Sequence, residues 1–387
     1  MSEPQFTTLR SLQAALPDLA TEAKARAVEF EEKRKLAPDF ADKLKRAGAF
    51  KVLVPEDAGG LGASLPEWLE IAMALAEADA STGWVMSHAN ICAGIIHASA
   101  DPRLRDEFFA DPNACAAWSS LPRVEAKEEA DGIRITGSWG FESGCTAATF
   151  VGGMVALAPS ANGTPRMVAA LAPVSEATIE ETWDPVGLAG TGSHDVRFKD
   201  VLVPWHRTFD WPAGKARSSF PTAAFVPGAW FIGMGAGATH LGLARRALDE
   251  ARNELRGKSD RYTRQPLLEN PATQRALEAA EGLWFACRAG LREALSAIWA
   301  DALAGNAPTA ETAVAARVAA VTATQKGAEV VRAAYDAAGA SAIRRGGVLQ
   351  KLLRDASCLT HHVSANLASL ELTGRVRSGI NEVSFRI

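Results

Sequence analysis

Apolar and polar positions divide the chain into three stretches of different period. Over residues 1–115 they recur at helical spacing, as in "LRSLQAALPDLATEAKARAVEFEEKRKL" and "LPEWLEIAMALAEADASTGWVMSHANICAGIIHASA". A period near 3.6 puts the apolar side chains on one helix face. The second run breaks near Asp79–Gly83, and the turn-rich "PEDAGGLGAS" precedes it. Over residues 116–215 the period falls to two. Ile133 and Ile135 alternate with polar neighbours in "DGIRITGSWGFESG", as do Val196, Phe198, Val201 and Val203 in "HDVRFKDVLVP". With the proline-closed runs "TFVGGMVALAP" and "PRMVAALAP", these predict strands separated by Gly, Pro and Asp turns. Over residues 216–387 helix returns in four blocks, at 220–257, 270–304, 309–339 and 347–372. Helices, then strands, then helices is not the alternation of a βαβ fold.

Composition narrows the class. A chain of 387 residues exceeds what one core usually fills, so more than one packed unit is expected. With 48% hydrophobic and 22% charged residues and a net charge of −4, it lacks the basic excess of a nucleic-acid binder. "MSEPQFTTLR" shows no secretory signal, so a cytoplasmic protein is expected. The uncharged run at 218–244 has the length of a membrane span. Its Gly, Ala, Ser and Thr content, and His240 within it, favour a buried bundle helix and no membrane role. The five cysteines are odd in number and widely spaced, without a CxxC pair, which predicts reduced core thiols and no metal site. "GMGAGA" (233–238) has no strand before it and a misplaced third glycine, so it reads as close helix packing rather than a dinucleotide fingerprint. "LRGKSD" lacks the glycine a phosphate loop needs at position 252, and no G-x-S-x-G elbow occurs. Electrons for any redox chemistry must therefore arrive from elsewhere.

Four stretches, in order and spacing, carry a family resemblance: "PEDAGGLGAS", "GSWGFESGC" (137–145), "DPVGLAGTGSHDVRFKDVLVPWHRTF" (184–209) and "LRDASCL". Together they resemble the acyl-CoA dehydrogenase superfamily over essentially the whole chain. The resemblance implies a mainly α fold: a helical N-terminal domain (1–115), a central β-barrel domain (116–215) and a C-terminal four-helix bundle (216–387). Flavin would lie between barrel and bundle, in a homotetramer or dimer of dimers.

The superfamily's dehydrogenases place a glutamate base shortly after the R-D pair or on the first bundle helix. Counting from Arg354, the first place falls on Val363, and residues 211–248 contain no Asp or Glu. The chain instead resembles the branch of two-component flavin-dependent monooxygenases, which carry R-D-x-x-x-x-T-Q-H here. Arg354, Asp355, Thr360 and His362 match that pattern, with His361 in place of the glutamine. The implied reaction is hydroxylation of a phenol- or indole-type molecule through a flavin C4a-hydroperoxide, using O2 and reduced FAD or FMN from a separate NAD(P)H:flavin reductase. The alternatives are N- or S-oxygenation within the branch, an acyl-CoA dehydrogenase with a displaced base, and a silent scaffold.

"LLRDASCLTHHVSANL" (352–367) reads as helix, and adjacent positions on a helix lie about 100° apart, so His361 and His362 do not share a metal. On that helix Leu352, Leu359, Val348 and Leu370 form a core face bordered by His362, with His361 opposite. His362 is the candidate acid/base or hydrogen-bonding group, since an ordinary imidazole titrates near about 6.5. The resemblance gives Ser143 as partner of flavin N5, beside Gly144. It gives Ser119, Ser120 and Leu121 as flavin contacts, and Arg261, next to Tyr262, as a phosphate contact from a neighbouring subunit. Trp139 either stacks near the isoalloxazine or fills the barrel core. Thr191 and Ser193 either bind flavin phosphate or ribose, or form a simple turn, and His194 reads as a surface turn residue. Trp84 and His88, one helical turn apart, are candidates for the substrate pocket. Cys92 stands where relatives often carry a histidine.

Overall fold

The computed structural model describes residues 8–120, 122–159, 166–210 and 230–380. The head consists of α1 (Leu9–Lys33), α2 (Pro38–Arg46), α3 (Leu65–Ala78), α4 (Ala80–Ser99) and α5 (Pro102–Phe109). Local chemistry sets their ends. Thr8 with Ser11, and Ser64 with Glu67, form reciprocal capping boxes on α1 and α3. Asp79 closes α3 in an extended conformation and caps α4 by accepting from the Thr82 N–H, which explains the break legible near that point.

Seven strands follow: β1 (Pro122–Glu128), β2 (Gly132–Trp139), β3 (Phe150–Leu157), β4 (Arg166–Pro173), β5 (Thr178–Glu180), β6 (Asp195–Pro204) and β7 (Thr208–Asp210). They form two antiparallel sheets, ordered β1-β2-β6-β5 and β3-β4-β7. The alternating residues do turn inward: Ile133, Ile135, Val196, Phe198 and Val203 share one core with Val151, Val155 and Val168 of the other sheet. The expected barrel does not close among the described residues. β5 and β7 are three residues long and leave the sheets with open edges, so the unit is a small sandwich. Gly137, at φ +136° in the irregularity of β2, has no room for a side chain: a Cβ would sit 2.3 Å from the Arg123 carbonyl oxygen.

The tail comprises α6 (Trp230–Leu255), α7 (Pro271–Leu303), α8 (Ala310–Ala338), α9 (Val348–Leu359) and α10 (Ser369–Arg377). α6 packs against α3 and α4 of the head and against α7, α8 and α9. Its small residues permit this, for a Cβ at Gly242 would meet the Met73 carbonyl oxygen of α3 at 2.5 Å. The single helix expected over 347–372 is instead two helices separated by turns at 360–368, so His362 lies in a turn. Thr360, His361, His362, Val363 and Ser364 are weak helix formers, and the Gln325 side-chain amide satisfies carbonyls the break sets free, at Thr360 (3.1 Å) and Ala365 (3.0 Å). All five cysteines are free. Among the described residues no helix is long and apolar enough to cross a membrane, and no cluster of metal-ligating side chains occurs.

Candidate active site

A cavity of about 330 Å³ opens where the β sandwich, α4 and the segment after α9 meet. This lies at the low end of the roughly 300–1,000 Å³ of small-molecule pockets. Trp118, Phe141, Met154, Trp183 and Leu188 line it from the β side, and Ile232 and Leu359 from the helical side. Phe141 and Trp183 meet edge to face at 5.6 Å. Phe141 is held at φ +60°, costly for a bulky residue, and is 58% exposed.

The polar part of the wall is serine and histidine. Ser119, Ser120, Ser143, Ser193 and Ser364 reach it, with His88, His361 and His362. The Ser119 hydroxyl is already engaged, donating to the Gly140 carbonyl at 2.6 Å. Ser143 Oγ accepts from the Trp84 indole N–H at 2.9 Å and lies 2.7 Å from Ser193 Oγ. Ser193 Oγ lies 2.7 Å from Thr191 Oγ1, which donates to the Leu188 carbonyl at 2.8 Å. Five residues from three separate stretches of the sequence thus form one hydrogen-bonded chain that meets the cavity.

Leu188 is itself fixed. It takes φ +55°, and its N–H donates to Asp355 at 2.7 Å. Asp355 pairs with Lys351 at 2.7 Å, and Lys351 also reaches Asp79 at 3.4 Å. Burial opposes the charge on Lys351, but the Asp355 and Asp79 carboxylates outweigh it and raise its pKa. The R-D pair therefore acts on the site from behind: Asp355 through Leu188, and Arg354 by donating to the Val186 carbonyl at 2.7 Å.

His362 packs edge-on against the Trp84 ring, with centroids 5.1 Å apart. Burial, helped by His88 and Arg317, lowers its pKa to about 4. The ordinary value expected from sequence therefore does not hold, and the ring is neutral at pH 7. Its Nδ1 accepts the Ser364 N–H at 3.2 Å, so the neutral ring's proton belongs on Nε2. His88 stands one turn from Trp84, centroids 6.2 Å apart, and burial lowers it too to about 4 against the backbone carbonyls of Ser143 and Trp118. His361 is exposed but lines the same cavity as His362, because the helix on which the two were expected to face opposite ways ends at Leu359.

Among the described residues no carboxylate lies on the cavity wall. Glu142, next to Ser143, is fully buried and turns away, one oxygen accepting the Gly152 N–H at 3.0 Å. Burial pushes its pKa well up.

The other candidates separate. Trp139 is a core residue: its ring is fully buried against Phe198 at 4.9 Å, and its N–H donates to the Met154 carbonyl. Gly144 and Thr191 support the wall from one layer behind, the Gly144 N–H donating to the Thr191 carbonyl at 2.9 Å. Cys92 lies behind His88, its sulfur 3.9 Å from the ring nitrogens. His194 is buried rather than on the surface, and its Nδ1 accepts the Trp183 N–H at 3.1 Å. Arg261 and Tyr262 lie exposed in the connector before α7, away from the cavity. Leu121 falls outside the described residues. Sequence reasoning missed Phe141, Trp183 and Leu188 on the wall. It also missed Arg317 on α8, 4% exposed with two unsatisfied nitrogens. The available signal for Arg317 was a lone charge in the alanine- and valine-rich run between Glu311 and Lys326.

Two family models match the chain: the acyl-CoA dehydrogenase N-terminal domain over residues 8–111 and C-terminal domain over residues 234–367. Indole-3-acetate monooxygenase of Acinetobacter baumannii is 30% identical over 363 residues, covering 92% of this chain and 91% of that protein. The flavin-dependent monooxygenase oxygenase subunit HsaA of Mycobacterium tuberculosis is 31% identical over 377 residues, 92% of each chain. The crystal structure of the HsaA monooxygenase from M. tuberculosis matches with a TM-score of 0.89 at 26% identity, over 98% of this chain and 100% of that one.

Proposed function

Because the chain belongs to the acyl-CoA dehydrogenase family, in the branch of two-component flavin-dependent monooxygenases, we propose that it hydroxylates an aromatic or heteroaromatic small molecule in the cavity described above. Its co-substrates are O2 and reduced FAD or FMN, the flavin being reduced by a separate reductase component. Bound reduced flavin supplies the two electrons with which one atom of O2 enters the substrate and the other becomes water.

The residues present fit that group. An apolar, aromatic wall bearing serine hydroxyls suits a flat heterocycle with polar edges. Ser143 would meet the flavin at N5, and Ser119, Ser120 and Ser193 would flank it. Trp84, Trp118, Phe141 and Trp183 exclude water, which protects the oxidising equivalent from loss. His362 presents its Nε2 proton as a fixed hydrogen-bond donor to oxygen at the reacting centre. His88 flanks the substrate beside Trp84. Arg261 would act on the flavin phosphate bound by a neighbouring copy in a homotetramer. Its exposed connector, with Tyr262 at 86% exposure, supports that arrangement.

The observation that carries this reading is a wall without a carboxylate among the described residues. Removal of an α-proton from an acyl thioester needs a base, and Glu142, the acid next to Ser143 in sequence, is turned into the sandwich. The test is a single turnover with photoreduced flavin, indole-3-acetate or a phenol, and isotopically labelled O2. Product carrying one labelled oxygen is expected, on carbon for hydroxylation and on nitrogen or sulfur for the related oxygenations. Anaerobic bleaching of bound flavin by an acyl-CoA, with no labelled product, would overturn the proposal.

A further inference from the structure

We propose that the hydrogen-bonded chain Trp84–Ser143–Ser193–Thr191–Leu188 is a redox-state filter, making the cavity a better host for reduced than for oxidised flavin. This rests on the reading of the cavity as a flavin site.

The direction of every proton in the chain follows from its ends. The Leu188 carbonyl can only accept, so the contact at 2.8 Å requires the Thr191 proton. With that proton spent, the 2.7 Å contact between Thr191 and Ser193 is a bond only if Ser193 donates. The 2.7 Å contact between Ser193 and Ser143 is then a bond only if Ser143 donates. At the other end the Trp84 indole can only donate, and it occupies one Ser143 lone pair at 2.9 Å. Ser143 thus has its proton committed and one acceptor position left, and the residue lies on the cavity wall.

Reversing the chain would set oxygen lone pairs against each other at Leu188. That carbonyl is held in place, because it also accepts from the Trp183 indole N–H and the Thr191 N–H, each at 3.1 Å. The Leu188 carbonyl therefore sets the polarity of a hydroxyl three links away.

The two flavin redox states differ where this matters. Reduced flavin carries a hydrogen on N5 and donates; oxidised flavin has a bare N5 that accepts. An acceptor-only Ser143 completes a bond with the first and opposes a lone pair with the second. For an oxygenase fed by a separate reductase, this favours capture of reduced flavin and release of the spent form.

Thr191→Val cuts the last link. Ser193 is then free to turn its proton to Ser143, and Ser143 its own to the cavity. Ser193→Ala frees the Ser143 proton directly. The measurement is the ratio of the Kd for oxidised FMN to that for reduced FMN, by anaerobic titration, with FAD in parallel. In either variant this ratio should fall about tenfold from wild type. The two-electron potential of the bound flavin should drop correspondingly, by about 30 mV. Ser193→Ala carries the test alone if Thr191→Val does not fold. An unchanged ratio in a folded variant, or equal weakening of both forms, overturns the filter. If labelled oxygen still reaches product in that case, the proposed function survives. A wild-type chain that binds neither form overturns both.

Discussion

His362 shows how far burial can move a residue from its expected role. An exposed imidazole beside an aromatic substrate would change charge near pH 6.5 and act as a base. In this chain burial, with His88 and Arg317 adding to it, lowers the pKa to about 4, and the Ser364 N–H occupies Nδ1. What remains is a neutral donor at Nε2. His362→Ala should lower kcat by about 10²–10³ while the fold persists, since a donor aimed at the reacting oxygen is worth that much. The pH profile separates donor from base. A donor keeps its Nε2 proton whether the ring is neutral or charged, so kcat should be flat from pH 8 to pH 5 with no step belonging to His362. A pH-jump assay, short compared with unfolding, measures this, and a break near pH 6.5 that vanishes in His362→Ala would refute the donor role. Arg317 supplies an independent check. Arg317→Met should raise the His362 pKa, read from imidazole proton shifts, because a nearby positive charge that disfavours protonation is gone.

The element that carries His362 is a helix break, and its integrity depends on a side chain from another helix. Gln325 of α8 bridges the carbonyls of Thr360 and Ala365 across the turn. Gln325→Leu would leave two carbonyls without that partner at a cost of about 1–3 kcal/mol. The expected outcome is a lower urea midpoint, faster amide exchange over residues 360–366 and reduced kcat; unchanged exchange there would show that the turn holds itself. Pattern alone could not reveal this arrangement. The heptad-like apolar positions Leu352 and Leu359 predict α9 and the side on which His362 lies, but the same pattern runs on past Leu359. The break comes from weak helix formers plus a tertiary partner. The sandwich shows the same division. Alternation located the inward residues of β2 and β6, whereas strand pairing and the open edges are long-range properties. Within the site, Ser143 and His362 were legible because each sits in a short motif. The chain joining residues 84, 143, 193, 191 and 188 was not, because its order in space is unrelated to its order in sequence.

Across the whole molecule the titrating groups are dominated by histidines held neutral. Burial lowers the pKa of five of the seven: His88, His97, His194, His240 and His362. They are distributed over the head, the sandwich, the bundle and the cavity between them. The sign of their effect follows from proton counting. For His88 and His362, between a folded pKa near 4 and an unfolded value of about 6.5, the unfolded chain binds more protons, so stability rises with pH across that window. Their contribution is complete above about pH 6.5 and is lost as pH falls towards 4, and the lowered pKa of the other three acts with the same sign. Glu77, Glu142 and Asp355 act in the opposite direction, because burial raises their pKa and the unfolded chain releases their protons first. Three acids are outnumbered by five histidines over the upper part of the window. His88 and His362 alone should each cost about 1–2 kcal/mol on going from pH 7 to pH 5, allowing for the cavity they face. The urea midpoint should therefore be clearly lower at pH 5 than at pH 7, and His88→Gln should reduce that difference. A midpoint that stays level between those pH values would mean that the histidines are hydrated in solution, and the dry, water-excluding cavity on which the proposed chemistry depends would fail with it.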